Sequence, residues 1–394
     1  MSALLLFLIS IIFIGLGIPD SSLGSAWPEM YVKLNLPISY QSFLTLIMSV
    51  CTTLSCAFSA RVINKFGTGL VTAFSTLLSA LSLVGFAISN SMIFLCLFSI
   101  PLGLGAGGID TALNNYVAVR YKPYHMNFLH CFYGIGVSVS PFFMSFALSK
   151  GDYKIGFYIL FLVMCFLALI AFIILPLWKK VAEIENEESF TPITVPLHKI
   201  AKSSMARRAW VVFFTTCALE FTCGTWGATY LTETVGLTTQ KSASLISLFY
   251  IGMTISRVLS GVFTTKIKSQ KIVFCGFTII FLGVVILFLP VNPLVKSIGL
   301  LLIGLGNGQT FPNLAQLTPT NFGKEYSQSV IGSLMFFSNL GILLTPPLFG
   351  IIAQFFGTKI LPLFILVLWV LLFSFTALYL NKSKTEKFKS AVEK

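Results

Sequence analysis

Twenty consecutive residues at 361–380, LPLFILVLWVLLFSFTALYL, carry no charged side chain and are apolar on every face. About 20 residues is the length at which a helix crosses the hydrocarbon core of a bilayer. Twelve stretches of this kind follow one another, at 3–27, 39–60, 69–89, 92–119, 126–149, 155–178, 208–232, 241–263, 271–291, 294–317, 327–354 and 360–380. A chain of 394 residues that is 56% hydrophobic and only 10% charged has too little polar surface to wrap a water-soluble particle, which excludes a soluble enzyme. Strands of a membrane barrel run about 10 residues with alternating polarity, whereas long continuous apolar runs mean helices. The expected fold class is an all-α polytopic membrane protein with twelve transmembrane helices.

The basic residues orient it. With the N-terminus in the cytoplasm, 19 of the 26 Lys and Arg fall in inside loops and the tail, 6 fall outside, and Arg257 lies within a span. The positive-inside rule then places both termini in the cytoplasm, in the inner or plasma membrane of the cell. Anionic lipid headgroups account for the net charge of +13, so the bilayer is the expected partner and nucleic acid is not. The opening MSALLLFLISIIF lacks a basic flank and reads as a retained first helix. All eight cysteines lie in spans without C-x-x-C spacing, so no disulfide framework, metal site or cofactor is expected.

The two halves repeat. At an offset of 201, Gly103-Leu104-Gly105-Ala106-Gly107 falls on Gly304-Leu305-Gly306-Asn307-Gly308; at 205, Gly136 and Pro141 fall on Gly341 and Pro346. Gly24 falls on Gly224, with Asp20 near Glu220. The expected organisation is a six-helix bundle over 1–178, a cytoplasmic linker over 179–207 and a second six-helix bundle with a short tail over 208–394. Two such repeats joined by a hydrophilic loop are the architecture of secondary transporters.

Ionisable groups inside a bilayer cost about 2.5–3.5 kcal/mol each on insertion scales, so each needs a function or a partner. Three acids lie deep in spans: Asp20, Asp110 and Glu220, in the first, fourth and seventh. The tenth span carries Gln309, Asn313 and Gln316 at i, i+4 and i+7. The membrane-embedded parts of the third, sixth, ninth and twelfth have no charge at all. This pattern predicts helices 1, 4, 7 and 10 around a central cavity.

Asp20 and Trp27 share a helical face, where an acid and an aromatic suit a sugar's hydroxyls and its C–H face; a capped kink with Trp27 as an interfacial anchor is the alternative. Asp110, with Asn114 one turn on, is placed to take and release a proton, since a carboxyl shielded from water favours its neutral form; a structural hydrogen bond is the alternative. Glu220 is a second protonatable group or a substrate ligand, with Trp226 nearby as a candidate contact. The Gln309–Asn313–Gln316 stripe either completes a hydroxyl network or glues helices together. Arg257 and His130 read as gating or structural residues.

The segments GIPDSSLGSAWPEM, GLGAGGIDTALNNYVAVRY, NFLHCFYGIGVSVSP, CGTWGATYLTE and GLGNGQTFPNLAQLTP resemble the fucose permease-like branch of the major facilitator superfamily over nearly the whole chain. That resemblance implies a proton-coupled transporter of a small-molecule substrate, a sugar; a monomer is expected, with sodium as the alternative ion. It further implies that Asp20 and Asp110 hold the positions tied to substrate recognition and proton transfer. Aspartate stands at 110 where the fucose symporter pattern has glutamate, and Glu220 has no match in that pattern. Beside symport stand two other readings, a proton-coupled exporter of drugs or metabolites and a membrane receptor or assembly partner retaining a transporter fold. No nucleophile–base pair indicates an enzyme.

Overall fold

The computed structural model describes residues 2–121, 123–182, 195–264, 266–323 and 326–380, and the secondary structure in them is helical. The elements are α1 (Ser2–Lys33), α2 (Gln41–Phe66), α3 (Thr68–Ile88), α4 (Met92–Arg120), α5 (Pro123–Ser149), α6 (Tyr153–Ile173), α7 (Leu175–Ala182), α8 (Leu197–Ile200), α9 (Ser204–Glu233), α10 (Thr239–Phe263), α11 (Ser269–Phe288), α12 (Pro293–Asn307), α13 (Thr310–Gln316), α14 (Thr318–Phe322), α15 (Ser327–Phe356) and α16 (Leu361–Leu380). The middle of the expected linker, 183–194, and the tail from 381 lie outside the described residues.

Ten of the helices are long and apolar enough to cross a membrane, against the twelve spans expected. The other two expected spans differ for physical reasons. The seventh, α9, is 30 residues long but is diluted by a buried polar series, Thr215, Thr216, Glu220, Thr222, Thr225 and Thr229. The tenth is not one helix: α12 stops at Asn307, and two short helices, α13 and α14, follow. Proline explains the break, because Pro312 has no N–H to return to the carbonyl of Gly308, four residues back.

Helices α1–α6 pack on one another, as do α9–α16, and close glycine approaches fix how. Among lipid-like surroundings, packing depends on small residues that let backbones come together. A Cβ at Gly103, Gly105 or Gly107 of α4 would strike the carbonyls of Met48, Ser75 and Thr52. Exactly 201 positions later the pattern recurs: Gly304, Gly306 and Gly308 lie against the carbonyls of Phe249, Gly276 and Met253. Gly136 and Gly341 likewise rest on the carbonyls of Ile14 and Phe214. The repeat seen in the sequence is thus a repeat of backbone contacts. Valine at Gly105 or Gly306 is expected to lower stability by about 1–3 kcal/mol through overpacking, read as a lower melting midpoint in detergent; an unchanged midpoint would show that these helices have room to part.

The outward faces of α3, α6, α11 and α16 expose large apolar side chains, among them Phe74, Leu162, Phe166, Leu282 and Val367, as surfaces turned to acyl chains must. The two groups of helices meet through α1 with α9, α2 with α15 and α5 with α10. Their cross-contacts gather at the end of the bundle away from Ser2 and Leu380. There Gln41 Nε2 donates to the Thr225 carbonyl at 3.0 Å, Ser145 Oγ to that of Gln240 at 2.9 Å, Ser42 Oγ to that of Pro347 at 3.4 Å, Tyr31 Oη to Glu233 Oε1 at 2.5 Å and Thr239 Oγ1 to Glu29 Oε2 at 3.2 Å. That end is closed. At the other end, Val195 and Ile200 of the chain leading into α9 are buried with the second group, and Val195 N–H donates to Ser329 Oγ at 3.0 Å.

Candidate functional site

Just inside the closed end, four helices from both groups converge on one small pocket lined by Asp20 of α1, Tyr133 of α5, Glu220, Phe221, Gly224 and Thr225 of α9, and Tyr250 of α10. Its volume, about 10 Å³, is that of a single water. The walls come this close because Gly24 lacks a Cβ: one there would meet the Gly224 carbonyl and Thr225.

Each acid has a different partner. Tyr133 Oη donates to Asp20 Oδ2 at 2.9 Å. Glu220 is ion-paired with Arg257, whose Nη2 stands 3.3 Å from Oε1 and 3.5 Å from Oε2. Arg257 Nε donates to the Gly308 carbonyl at 3.2 Å, the acceptor that Pro312 leaves free. The guanidinium also lies 5.9 Å from the centre of the Tyr133 ring, so a cation of the second group touches the residue that binds the acid of the first. Asp110 Oδ1 accepts from Asn114 Nδ2 at 2.6 Å, one turn apart as the spacing predicts, and its charge reaches Asp20. His130 packs edge-on against Phe13, ring centres 5.6 Å apart, within the field of Arg257. Arg257 pairs rather than snorkels.

Other expected site residues sit elsewhere. Trp27 is fully buried in the core of the first group, its indole N–H on the Ile38 carbonyl at 2.9 Å, and does not line the pocket. Trp226 is its counterpart, buried with Nε1 on the Pro346 carbonyl at 2.9 Å. Gln309 donates to the Ile272 and Gly306 carbonyls, each at 3.2 Å, and Asn313 to Ser260 Oγ at 2.6 Å; both hold helices together. Gln316 is exposed near the terminal end. The stripe does not line the pocket: its alignment assumes a regular helix, and the break at 308–309 interrupts that helix. Tyr133, Tyr250 and Thr225 were missed, since a search for charges passes over phenols and hydroxyls. A tyrosine deep in an apolar span was the available signal, because a buried phenol O–H needs a partner.

A second crevice of about 310 Å³ lies between the start of α1 and α5, lined by Ala3, Leu6, Phe7, His125 and Phe128. It is apolar apart from His125 and is remote from the acids. No group of three or more His, Cys, Asp or Glu able to hold a metal occurs among the described residues.

The comparisons concern the family and the fold. The sequence pattern of the Major Facilitator Superfamily matches residues 5–346. The chain is 23% identical over 406 aligned positions to Bypass of stop codon protein 6 of Saccharomyces cerevisiae, covering 93% of this chain and 80% of that one. It is 22% identical to the Glucose/mannose transporter GlcP of Bacillus subtilis, covering 82% of each. The solved structure of the nucleoside transporter NupG superposes with a TM-score of 0.75 at 15% identity, over 95% of this chain and 99% of that one, which speaks for the fold alone. Paired glycine registers, an acid-lined pocket between two helix groups and a family pattern spanning most of the sequence lead to one conclusion: the chain belongs to the Major Facilitator Superfamily, as a multi-pass membrane secondary transporter and not an enzyme.

Proposed function

We propose that the protein is a proton-coupled symporter of a sugar or similar small polyol, working by alternating access in the cell membrane with twelve spans and both termini cytoplasmic. One observation carries the reading: the Asp20 and Glu220 carboxyls and the hydroxyls of Tyr133, Tyr250 and Thr225 face a single pocket between the two helix groups. Carboxylates and phenols are the donors and acceptors that a polyol needs. The likeness to a relative named as a glucose/mannose transporter supports the same substrate class. With cytoplasmic termini, the closed end is the outer one, and the pocket is collapsed to about 10 Å³. Rocking of the halves would widen it for substrate.

Asp20 and Asp110 carry the coupling in this reading. Asp20 touches the pocket, and Asp110 lies further toward the terminal end on α4, within reach of its charge. A proton moving inward through 100 mV supplies about 2.3 kcal/mol, enough for roughly fifty-fold accumulation. Proteoliposomes loaded with a panel of hexoses, polyols and nucleosides test the proposal under an imposed proton gradient. Uphill uptake of a polyol is expected, and export of the same solute under an inward gradient would replace symport by antiport. In Asp110→Asn, gradient-driven accumulation is expected to vanish while exchange at equal pH continues; normal uphill uptake would remove Asp110 from the coupling.

A further inference from the structure

The charges around the pocket do not cancel. Glu220 and Arg257 neutralise each other at 3.3 Å. Asp20 has no cation of its own among the described residues: its one hydrogen bond comes from the neutral phenol of Tyr133, and the other ionisable carboxyl lining its pocket is Glu220, already paired with Arg257. The titratable groups around it are Asp110 on α4, His130 and Tyr133 on α5, Glu220 on α9, and Tyr250 and Arg257 on α10. Among the described residues, every Lys and Arg other than Arg257 lies near a helix end or in a connection. One carboxyl therefore stands between two moving bundles with nothing fixed to balance it.

A carboxylate sealed away from water without a counter-charge is strongly destabilising, so the loaded carrier can turn only once Asp20 is neutralised. A proton does this. A substrate ammonium does it equally well, and the walls suit one: Tyr133, Phe221 and Tyr250 surround the same space, and aromatic faces attract cations. Tyr250 and Thr225 supply hydroxyls for those of the substrate. Among the residues lining the pocket, the Arg257–Glu220 pair leaves one missing positive charge, at Asp20; Asp110 lies outside that lining, paired with Asn114.

We propose that this site also accepts hydroxylated organic monocations, whose ammonium group takes the place of the coupling proton at Asp20. The proposal rests on the transport reading for the location of the site but not on its substrate being a polyol. The coupling then changes with the substrate. A neutral polyol moves with one proton, an amine moves alone, and one positive charge crosses in either cycle.

Proteoliposomes containing the purified protein, tested with glucose, glucosamine and choline, read this directly; choline cannot lose its charge. An inside-negative potential is expected to drive choline and glucosamine inward without alkalinising the outside, and a pH gradient alone is expected to leave choline uptake unchanged, whereas glucose responds to both. Choline binding to the detergent-solubilised protein should weaken at least about tenfold in Asp20→Asn, as for a lost desolvated charge pair, and survive in Asp20→Glu. Glucose moving with protons while neither cation binds or moves overturns the proposal and leaves the polyol reading standing, as does choline entering together with a proton. Choline bound through Asp20 with no sugar transported supports the proposal and overturns the polyol reading.

Discussion

Replacing Arg257 by methionine is expected to destabilise the carrier by about 3–5 kcal/mol and to reduce transport to background. Removing one partner of a buried ion pair leaves the other charge uncompensated, and that magnitude is typical of the loss. Glu220 is 9% exposed and has Arg257 as its cation. The same change also removes the donor to the Gly308 carbonyl and the cation over the Tyr133 ring, so the broken tenth span and the Asp20 partner both lose support. The double variant Glu220→Gln/Arg257→Met should recover most of the stability, because no unpaired charge is then buried. Melting midpoints of the two single variants and the double variant close a cycle. A coupling energy near zero would mean that water, not Arg257, balances Glu220.

Valine at Gly24 is expected to hold the carrier open at the end that is closed here. The Cβ would meet the Gly224 carbonyl and the backbone of Thr225, neither of which can swing aside as a flexible side chain would. Overpacking of about 1–3 kcal/mol that falls only on this conformation shifts the equilibrium about five- to 150-fold toward the other. Cysteines placed at Tyr31 and Glu233, now joined by a hydrogen bond, should cross-link readily in the parent and poorly in the Gly24→Val background. Equal cross-linking in both would show that α1 and α9 do not need to touch for closure.

Much of this was legible in the sequence because a bilayer imposes few solutions. Apolar length announces helices, and the offset between glycine runs anticipates which backbones touch, since a glycine in such a run has little other use. Asp20, Glu220 and Arg257 stood out by their charge alone. Their pairing did not, because it depends on how α9, α10 and the broken tenth span converge. Gln309 and Asn313 were polar in the right span, yet helix-wheel spacing assumes a continuous helix and Pro312 interrupts it. Trp27 reads from the sequence as a sugar surface or an interfacial anchor and Trp226 as a candidate contact, whereas each has a backbone carbonyl to satisfy its indole N–H and enough neighbours to bury the rest. Tyr133 and Tyr250 were hidden because their importance comes from the company they keep.

The closed end is held by hydrogen bonds to backbone carbonyls and by small hydroxyls, joined by Tyr31 and Glu233 and the contact of Thr239 with Glu29. A typical bond of this kind contributes only about 0.5–1.5 kcal/mol net, and separated ones come undone one at a time. Such a closure behaves as a zip and not as a latch: it can part in small thermal steps from one edge, so losing any single tooth should alter the pace of the cycle far more than its direction.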